Sequence, residues 1–403
     1  MPSTSPISAA TRLFVTSTAA RLPLACLGIG LLAHAAHLTG SFAAAGLVAG
    51  AYAIATGVGG PLAGRLVDRR GQTLVLGTTA AATAALLVVA ALLPAGAPLG
   101  VLLALAAAIG LVTPPVGSCV RAALPSVIDD PSAVRSAFAV EAAVAEVTWV
   151  AGPPFTLGLG ALFSTAVALA ASGVVILAAT LAFAALPASR AWRPVAEREP
   201  GGAMASAGMR TLVAVLLFVG VLFGALEVAA TAAVGSADSA TSAAPFLALW
   251  GLGSLIGGIV LARRGGHGAS APLLVVLLGI LTLGHLLLVP VAGSAVPFAG
   301  MLLVAGAAIA PTLAVAFGLV DELAPSGTVT EAFAWLATAE AVGSALGSAL
   351  AGSIVTGVGV TPALVFAAAA GAAAMLTALA GRTTLVGAGT SFTPPIACAG
   401  QAA

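Results

Sequence analysis

The sequence contains no lysine, and charged residues make up only 7% of its 403 positions. Its formal cations are 14 arginines set against 13 carboxylates, for a net charge of +1. Without lysine no Gly-x-x-x-x-Gly-Lys-Ser/Thr phosphate loop can exist, which excludes a nucleotide-hydrolysing motor of that kind. A chain so close to neutral, with no basic face, also lacks the clustered charge that neutralises nucleic-acid phosphates. Cysteine is scarce. Cys26 and Cys119 fall inside apolar runs and Cys398 near the end, so the three read as packing residues rather than a disulfide framework. Ser, His and acidic residues show no nucleophile-elbow spacing, and the expectation is that the chain is not an enzyme. His34 and His37 share a helix face but have no nearby Cys or acid, so no metal site is expected. No cofactor is expected either.

What fills the chain instead is apolar: 60% of residues are hydrophobic and mean hydropathy is +1.16, above the roughly 45–50% of a soluble domain. Lipid is the solvent this composition requires. Leu22–Leu32 with Ala33-His34-Ala35 resembles a signal-peptide core and cleavage site. Because apolar runs continue along the whole chain, the same stretch reads as a first membrane span.

A bilayer core of about 30 Å takes about 20 helical residues, and helices satisfy their own backbone there. Twelve such runs are expected, near 13–38, 41–64, 73–94, 99–123, 135–160, 163–187, 211–233, 243–262, 272–291, 296–320, 328–356 and 361–381. Arginine collects in cytoplasmic loops. With both termini inside, thirteen of the fourteen arginines fall at the inner face, and only Arg21 is left within a span. The polar segment 185–210, rich in Gly, Pro and charge, reads as a connector. The expected organisation is an N-terminal six-helix half (1–188), a cytoplasmic linker (189–209), a C-terminal six-helix half (210–382) and a flexible cytoplasmic tail (383–403).

The halves read as repeats. A shift of 194 lays "GVGGPLAGRLVDRRG" (57–71) on "GLGSLIGGIVLARRG" (251–265), so that Gly57, Gly59, Gly64, Arg69, Arg70 and Gly71 meet Gly251, Gly253, Gly258, Arg263, Arg264 and Gly265. A shift of 195 pairs Ala137-Phe138 with Ala332-Phe333 and Gly152 with Gly347. Two same-sense blocks imply a pseudo-two-fold axis along the membrane normal, with a central site between them.

At this point the chain resembles the major facilitator superfamily over essentially its full length. The loop between spans two and three carries that family's pattern at Gly64, Asp68, Arg69 and Gly71, and departs from it at Gln72, where a cation is usual. Gly152-Pro153 in span five is similar to the Gly-Pro motif of its antiporters. The resemblance implies an all-α integral membrane fold of 12 transmembrane helices in two pseudo-symmetric six-helix bundles, N-in and C-in. It also implies transport by alternating access. In such proteins the acid equivalent to Asp68 docks on the start of span eleven and holds an inner gate closed. Here that span opens with Thr328-Val-Thr-Glu331, a capping-box pattern. Arg121 is a candidate substitute for the missing cation at Gln72, while Arg65 and Arg70 read as orientation signals and lipid anchors.

Ionisable residues inside spans are expensive and mark function by default. Glu146 lies near the middle of span five and Glu340 at the pseudo-equivalent depth of span eleven. Glu227 lies in the outer half of span seven, where it is a candidate partner for Arg21 around a polar substrate. Glu146, Glu227, Glu340 and Arg21 are thus the candidate substrate and proton residues; Glu141, nearer the inner surface, is a fifth intramembrane ionisable group, and for Glu141 and Arg21 alike snorkelling or structural pairing near the boundary is the competing reading. The expected activity is proton-coupled efflux of a small molecule, driven by the proton gradient, by a monomer in the bacterial cytoplasmic membrane. Uptake of a sugar or other metabolite, or a sensor that has lost transport, are the alternatives.

Overall fold

The computed structural model describes residues 6–195, 199, 201–233, 239–263 and 269–386. The described chain folds into α-helices and two short 3-10 turns, with no strand among the described residues. The first half holds α1 (Pro6–Ala25), α2 (Leu27–Thr39), α3 (Phe42–Arg70), α4 (Gln72–Ala91), α5 (Leu99–Val112), α6 (Val116–Val127), α7 (Pro131–Leu162) and α8 (Thr165–Ala184). A short α9 (Pro187–Ala191) follows. The remainder is α10 (Ala207–Ala233), α11 (Ser239–Arg263), α12 (Ala271–Leu286), α13 (Ala295–Gly306), α14 (Ile309–Leu323), α15 (Val329–Val358) and α16 (Val360–Ala380).

Eleven helical stretches among the described residues are long and apolar enough to cross a bilayer. Each coincides with one of the expected runs; the fifth run falls on α7, whose 32 residues give about 48 Å at 1.5 Å per residue. Local chemistry sets the ends. Ser41, Ser164 and Ser270 cap α3, α8 and α12 by accepting from backbone N–H groups in the first turn, and Asp130 caps α7 by accepting from the N–H groups of Ser132 and Ala133. Those hydrogen bonds, the Ser132 ones foremost, hold the Asp130 carboxyl below the usual carboxylate range. Pro114-Pro115 break the fourth run into α5 and α6, as proline lacks the N–H a helix interior needs. The tenth run breaks at Ala307–Ala308 and resumes with Pro311 in the first turn of α14. The first run breaks at Cys26, just after Pro23.

Small residues govern how closely the helices pack. A Cβ on Gly220 or Gly224 would run into the backbone of Glu340 or Ser344, and one on Gly343 or Gly347 into the backbone of Leu217 or Val221. The glycines of α10 and α15 thus interlock reciprocally, and Ser348 adds a hydrogen bond to the Gly224 carbonyl at 3.2 Å. In lipid, where no hydrophobic drive separates helix from solvent, such contact is a main source of association.

The duplicated glycines occupy equivalent contacts. Gly59 of α3 faces the backbone of Leu111 in α5, and Gly253 of α11 faces the backbone of Leu303 in α13. Gly64 meets α15 at Glu331, and its counterpart Gly258 meets α7 at Ala139. Each half therefore offers the same glycine to the other, which is the contact pattern a two-fold axis dictates. Replacing Gly343 by Leu is expected to lower the thermal unfolding midpoint of detergent-purified protein, because overpacking costs about 1–3 kcal/mol. Gly352→Ala, in open space, is expected to leave it unchanged.

Candidate functional site

The loop carrying the charge cluster forms as a tight turn. Gly71 ends α3 with φ +90°, a conformation open to glycine and strained for other residues. Above it Gly64 lets α3 reach the start of α15, where a Cβ would stand 2.9 Å from the Cα of Glu331. Gly60, one turn earlier on α3, has only ordinary contact with Thr338 at 3.5 Å.

Asp68 is buried at this contact, and its two carboxylate oxygens accept from the backbone N–H groups of Thr330 (3.1 Å) and Glu331 (2.8 Å). A helix start carries unpaired N–H groups and about half a positive charge. Asp68 supplies the missing acceptor from another helix. The capping box expected at Thr328 does not form: its hydroxyl donates to the Pro325 carbonyl instead, and Glu331 turns outward to Arg65. That pair is bidentate, with Arg65 Nη2 donating to Oε1 at 2.8 Å and Nε to Oε2 at 3.1 Å. Arg65 is therefore a cross-half ion-pair partner and not only an orientation signal. Gln72 turns inward, its Nε2 donating to the Cys119 carbonyl.

The pseudo-equivalent contact lacks the clamp. Ala262 stands where Asp68 stands in the first repeat, and Ser136 donates to the Ala262 carbonyl at 3.0 Å. There α7 is capped by its own Asp130, so one interface has a charged cap delivered from another helix, where the other shows, among the described residues, the neutral hydrogen bond from Ser136.

Behind these contacts lie Phe138, Phe317 and Phe333, from α7, α14 and α15, with ring centroids 6.0–6.4 Å apart. Arg121 of α6 lays its guanidinium over the Phe317 ring, Cζ 4.0 Å from the centroid, a cation–π contact. Beside them is a buried charge cluster. Glu141 accepts from Arg21 Nη1 at 2.7 Å and from Arg121 Nε at 2.9 Å. Its side chain is 2% exposed, against 15% for Arg21 and 9% for Arg121. Gly117 leaves the space beside α6 that the Arg21 guanidinium occupies.

Several sequence expectations change here. Arg21 pairs with Glu141, not with Glu227, whose own side chain is exposed on α10. Arg121 belongs to this cluster rather than to the Asp68 turn. Glu340 is partly buried on α15, seven residues beyond Phe333 and so on the same helix face about 10 Å higher. Gly152 seats α7 against the α1–α2 break, where a Cβ would stand 2.7 Å from Cys26 Sγ. Glu146 and Pro153 lie on α7 but their side chains fall outside the described residues. His285 accepts from Trp250 Nε1 and bonds the Leu281 carbonyl, and His34 bonds Thr165 and the Ala90 carbonyl, so both serve packing. No group of three or more metal-ligating side chains gathers among the described residues.

The two ends of the bundle differ. On one stripe of α15, Glu331, Ala334 and Thr338 pack against Gly64, Gly60 and Gly57 of α3, and Thr338 donates to the Gly57 carbonyl. Further along that stripe Val342, Leu346 and Leu350 are 44%, 50% and 51% exposed, while Gly50 and Gly46 of α3 meet nothing within 4 Å. The helices touch at the arginine-bearing end and splay at the other.

The sequence matches the description Major Facilitator Superfamily across residues 13–348. Among solved structures it is similar to a bacterial homologue of the iron transporter ferroportin in an outward-facing state, at 18% identity and TM-score 0.69, covering 92% of this chain and 98% of that one. It is also similar to the human organic anion transporter MFSD10, at 18% identity and TM-score 0.68, covering 94% and 100%. The proton:xylose symporter XylE, at 13% identity and TM-score 0.73, covers 94% of this chain and 96% of its own. No curated protein matches at the sequence level.

Two measurements probe these contacts. Asp68→Asn removes a charge-assisted cap, and such hydrogen bonds contribute about 1.5–3 kcal/mol; a cysteine placed at Ala334, with the natural cysteines replaced, is expected to be alkylated roughly tenfold faster in that background. Glu141→Gln strands two buried guanidiniums and is expected to destabilise the protein by about 3–5 kcal/mol, whereas Arg21→Gln, which leaves the Arg121–Glu141 pair, is expected to cost much less by the same thermal-unfolding assay.

Proposed function

Since the chain belongs to the major facilitator superfamily and is a multi-pass membrane protein, we propose that it is a secondary transporter moving a small molecule by alternating access. In this reading α7 is a twelfth span. Residues 1–188 and 210–382 form two six-helix halves, joined by the 189–209 linker and followed by the 383–403 tail. Both termini lie in the cytoplasm of a bacterial cell, so the closed arginine-bearing end is the inner gate and the splayed end opens outward. The observation that carries the reading is the unequal contact along α3 and α15, closed at Asp68 and open beyond Val342, with buried charge beside the hinge between. Rocking the halves must break the Asp68 cap and the Arg65–Glu331 pair together.

Coupling to protons requires a carboxylate that can lose its charge in the pathway. Glu340 fits that role best, being partly buried and without a hydrogen-bond partner among the described residues; Glu227 and Glu146 are the further candidates. Export is the first reading, supported by the antiporter-like Gly152-Pro153. Proton-coupled uptake is the second, favoured by fold neighbours that are proton symporters for xylose and fucose. The protein works as a monomer, without cofactor, on the proton gradient.

Reconstitution into liposomes with an imposed pH gradient tests this. A transported compound is expected to move with the gradient and to reverse when the gradient is reversed. Glu340→Gln is expected to lower proton-linked flux at least tenfold while the protein elutes as folded monomer. Unchanged flux in that variant removes Glu340 as the coupler, and absence of gradient-driven flux for every compound that binds favours the sensor alternative.

A further inference from the structure

The cluster around Glu141 is overbuilt for structure alone. Two guanidiniums hold one carboxylate, leaving one positive charge at a depth where charge is costly. Each guanidinium has five N–H donors, and each spends one on Glu141; among the described residues no acceptor meets the rest. A cluster serving only to pack would be expected to balance its charge, because an unpaired charge in a low-dielectric site destabilises the fold; the spare guanidinium nitrogens are not among the sealed, orphaned polar atoms and so reach accessible space. Glu340 lies within electrostatic reach of Arg21, Arg121 and Glu141 but makes no hydrogen bond to them. The countercharge is thus nearby without a hydrogen bond to either arginine, so it does not occupy their spare donors.

The surroundings narrow what that acceptor is. Arg21 is the most exposed member of the three and Arg121 the next. The Phe138–Phe317–Phe333 layer lies alongside, and Arg121 stacks on Phe317 from the opposite half. A cation here would face two arginines, and an uncharged ligand would leave the second positive charge without a counterion. A carboxylate fills paired N–H donors in the planar geometry a guanidinium offers.

We propose that Arg21 and Arg121 form a binding subsite for the carboxylate group of the transported molecule, and that the substrate class is a small organic carboxylate. The inference rests on the transporter reading for the word transported, and on the geometry alone for the binding.

The test uses the full chain in phosphatidylcholine nanodiscs, so that no anionic lipid headgroup competes. Benzoate, phenylacetate and hexanoate are compared by thermal shift and titration with benzamide, phenylacetamide and benzylamine. Stabilisation by carboxylates alone is expected, with affinity falling at least tenfold in Arg121→Gln and recovering partly in Arg121→Lys. Arg121→Gln retains the Arg21–Glu141 pair, and Arg21→Gln serves as the second variant if the first does not fold. The proposal is overturned if no carboxylate binds, if the amides or the amine bind equally well, or if both glutamine variants bind like the parent. Flux of labelled benzoate into liposomes separates the two readings: binding without flux keeps the subsite and removes transport, while flux of an uncharged compound with no carboxylate binding does the reverse.

Discussion

One carboxylate holds the closed end of this protein together. Asp68 accepts from two backbone N–H groups at the start of α15, and everything near it depends on how closely α3 can approach. Gly64 permits that approach. The Arg65–Glu331 pair is then drawn into register, and Thr338 reaches the Gly57 carbonyl two turns further on. An acid acting on a helix terminus is a reversible clamp: it is strong while water is excluded and weak once the halves part and the N–H groups can bind water instead.

The duplication explains why the clamp is single. Gly64 and Gly258 make matching approaches to α15 and α7, so the two interfaces share their steric design. They differ in charge. Where the first repeat delivers Asp68 to a partner helix, the second has Ala262 and relies on a hydrogen bond from Ser136, while α7 is capped within its own chain segment by Asp130. The two contacts share their glycine geometry, and among the described residues only the first carries a carboxylate on a helix start.

The charge cluster links this gate to the interior. Arg121 bonds Glu141 within the first half while its guanidinium lies on Phe317 of the second. Arg121 is thus the side chain that joins the Glu141 cluster to the phenylalanine layer of α14 and α15. The glycine interlock packs α10 tightly against α15, the helix that carries Glu340.

Much of the architecture was legible in the order of residues. Composition alone demands lipid-solvated helices, the Pro114-Pro115 pair marks where α5 gives way to α6, and the repeated glycines point to a duplication. These are local or periodic signals, set by backbone chemistry within a few residues. The pairing of charges was not local. Nothing in the chain order distinguishes Glu227 from Glu141 as the partner of Arg21, or shows that Glu331 abandons its capping box for Arg65, since those contacts span up to 266 residues and are decided by which helix faces meet. The sequence by itself determined the solvent, the helices and the repeat; only the tertiary structure decided which arginine neutralises which acid, because a buried charge takes whichever counterion the packed helices bring within a few ångströms.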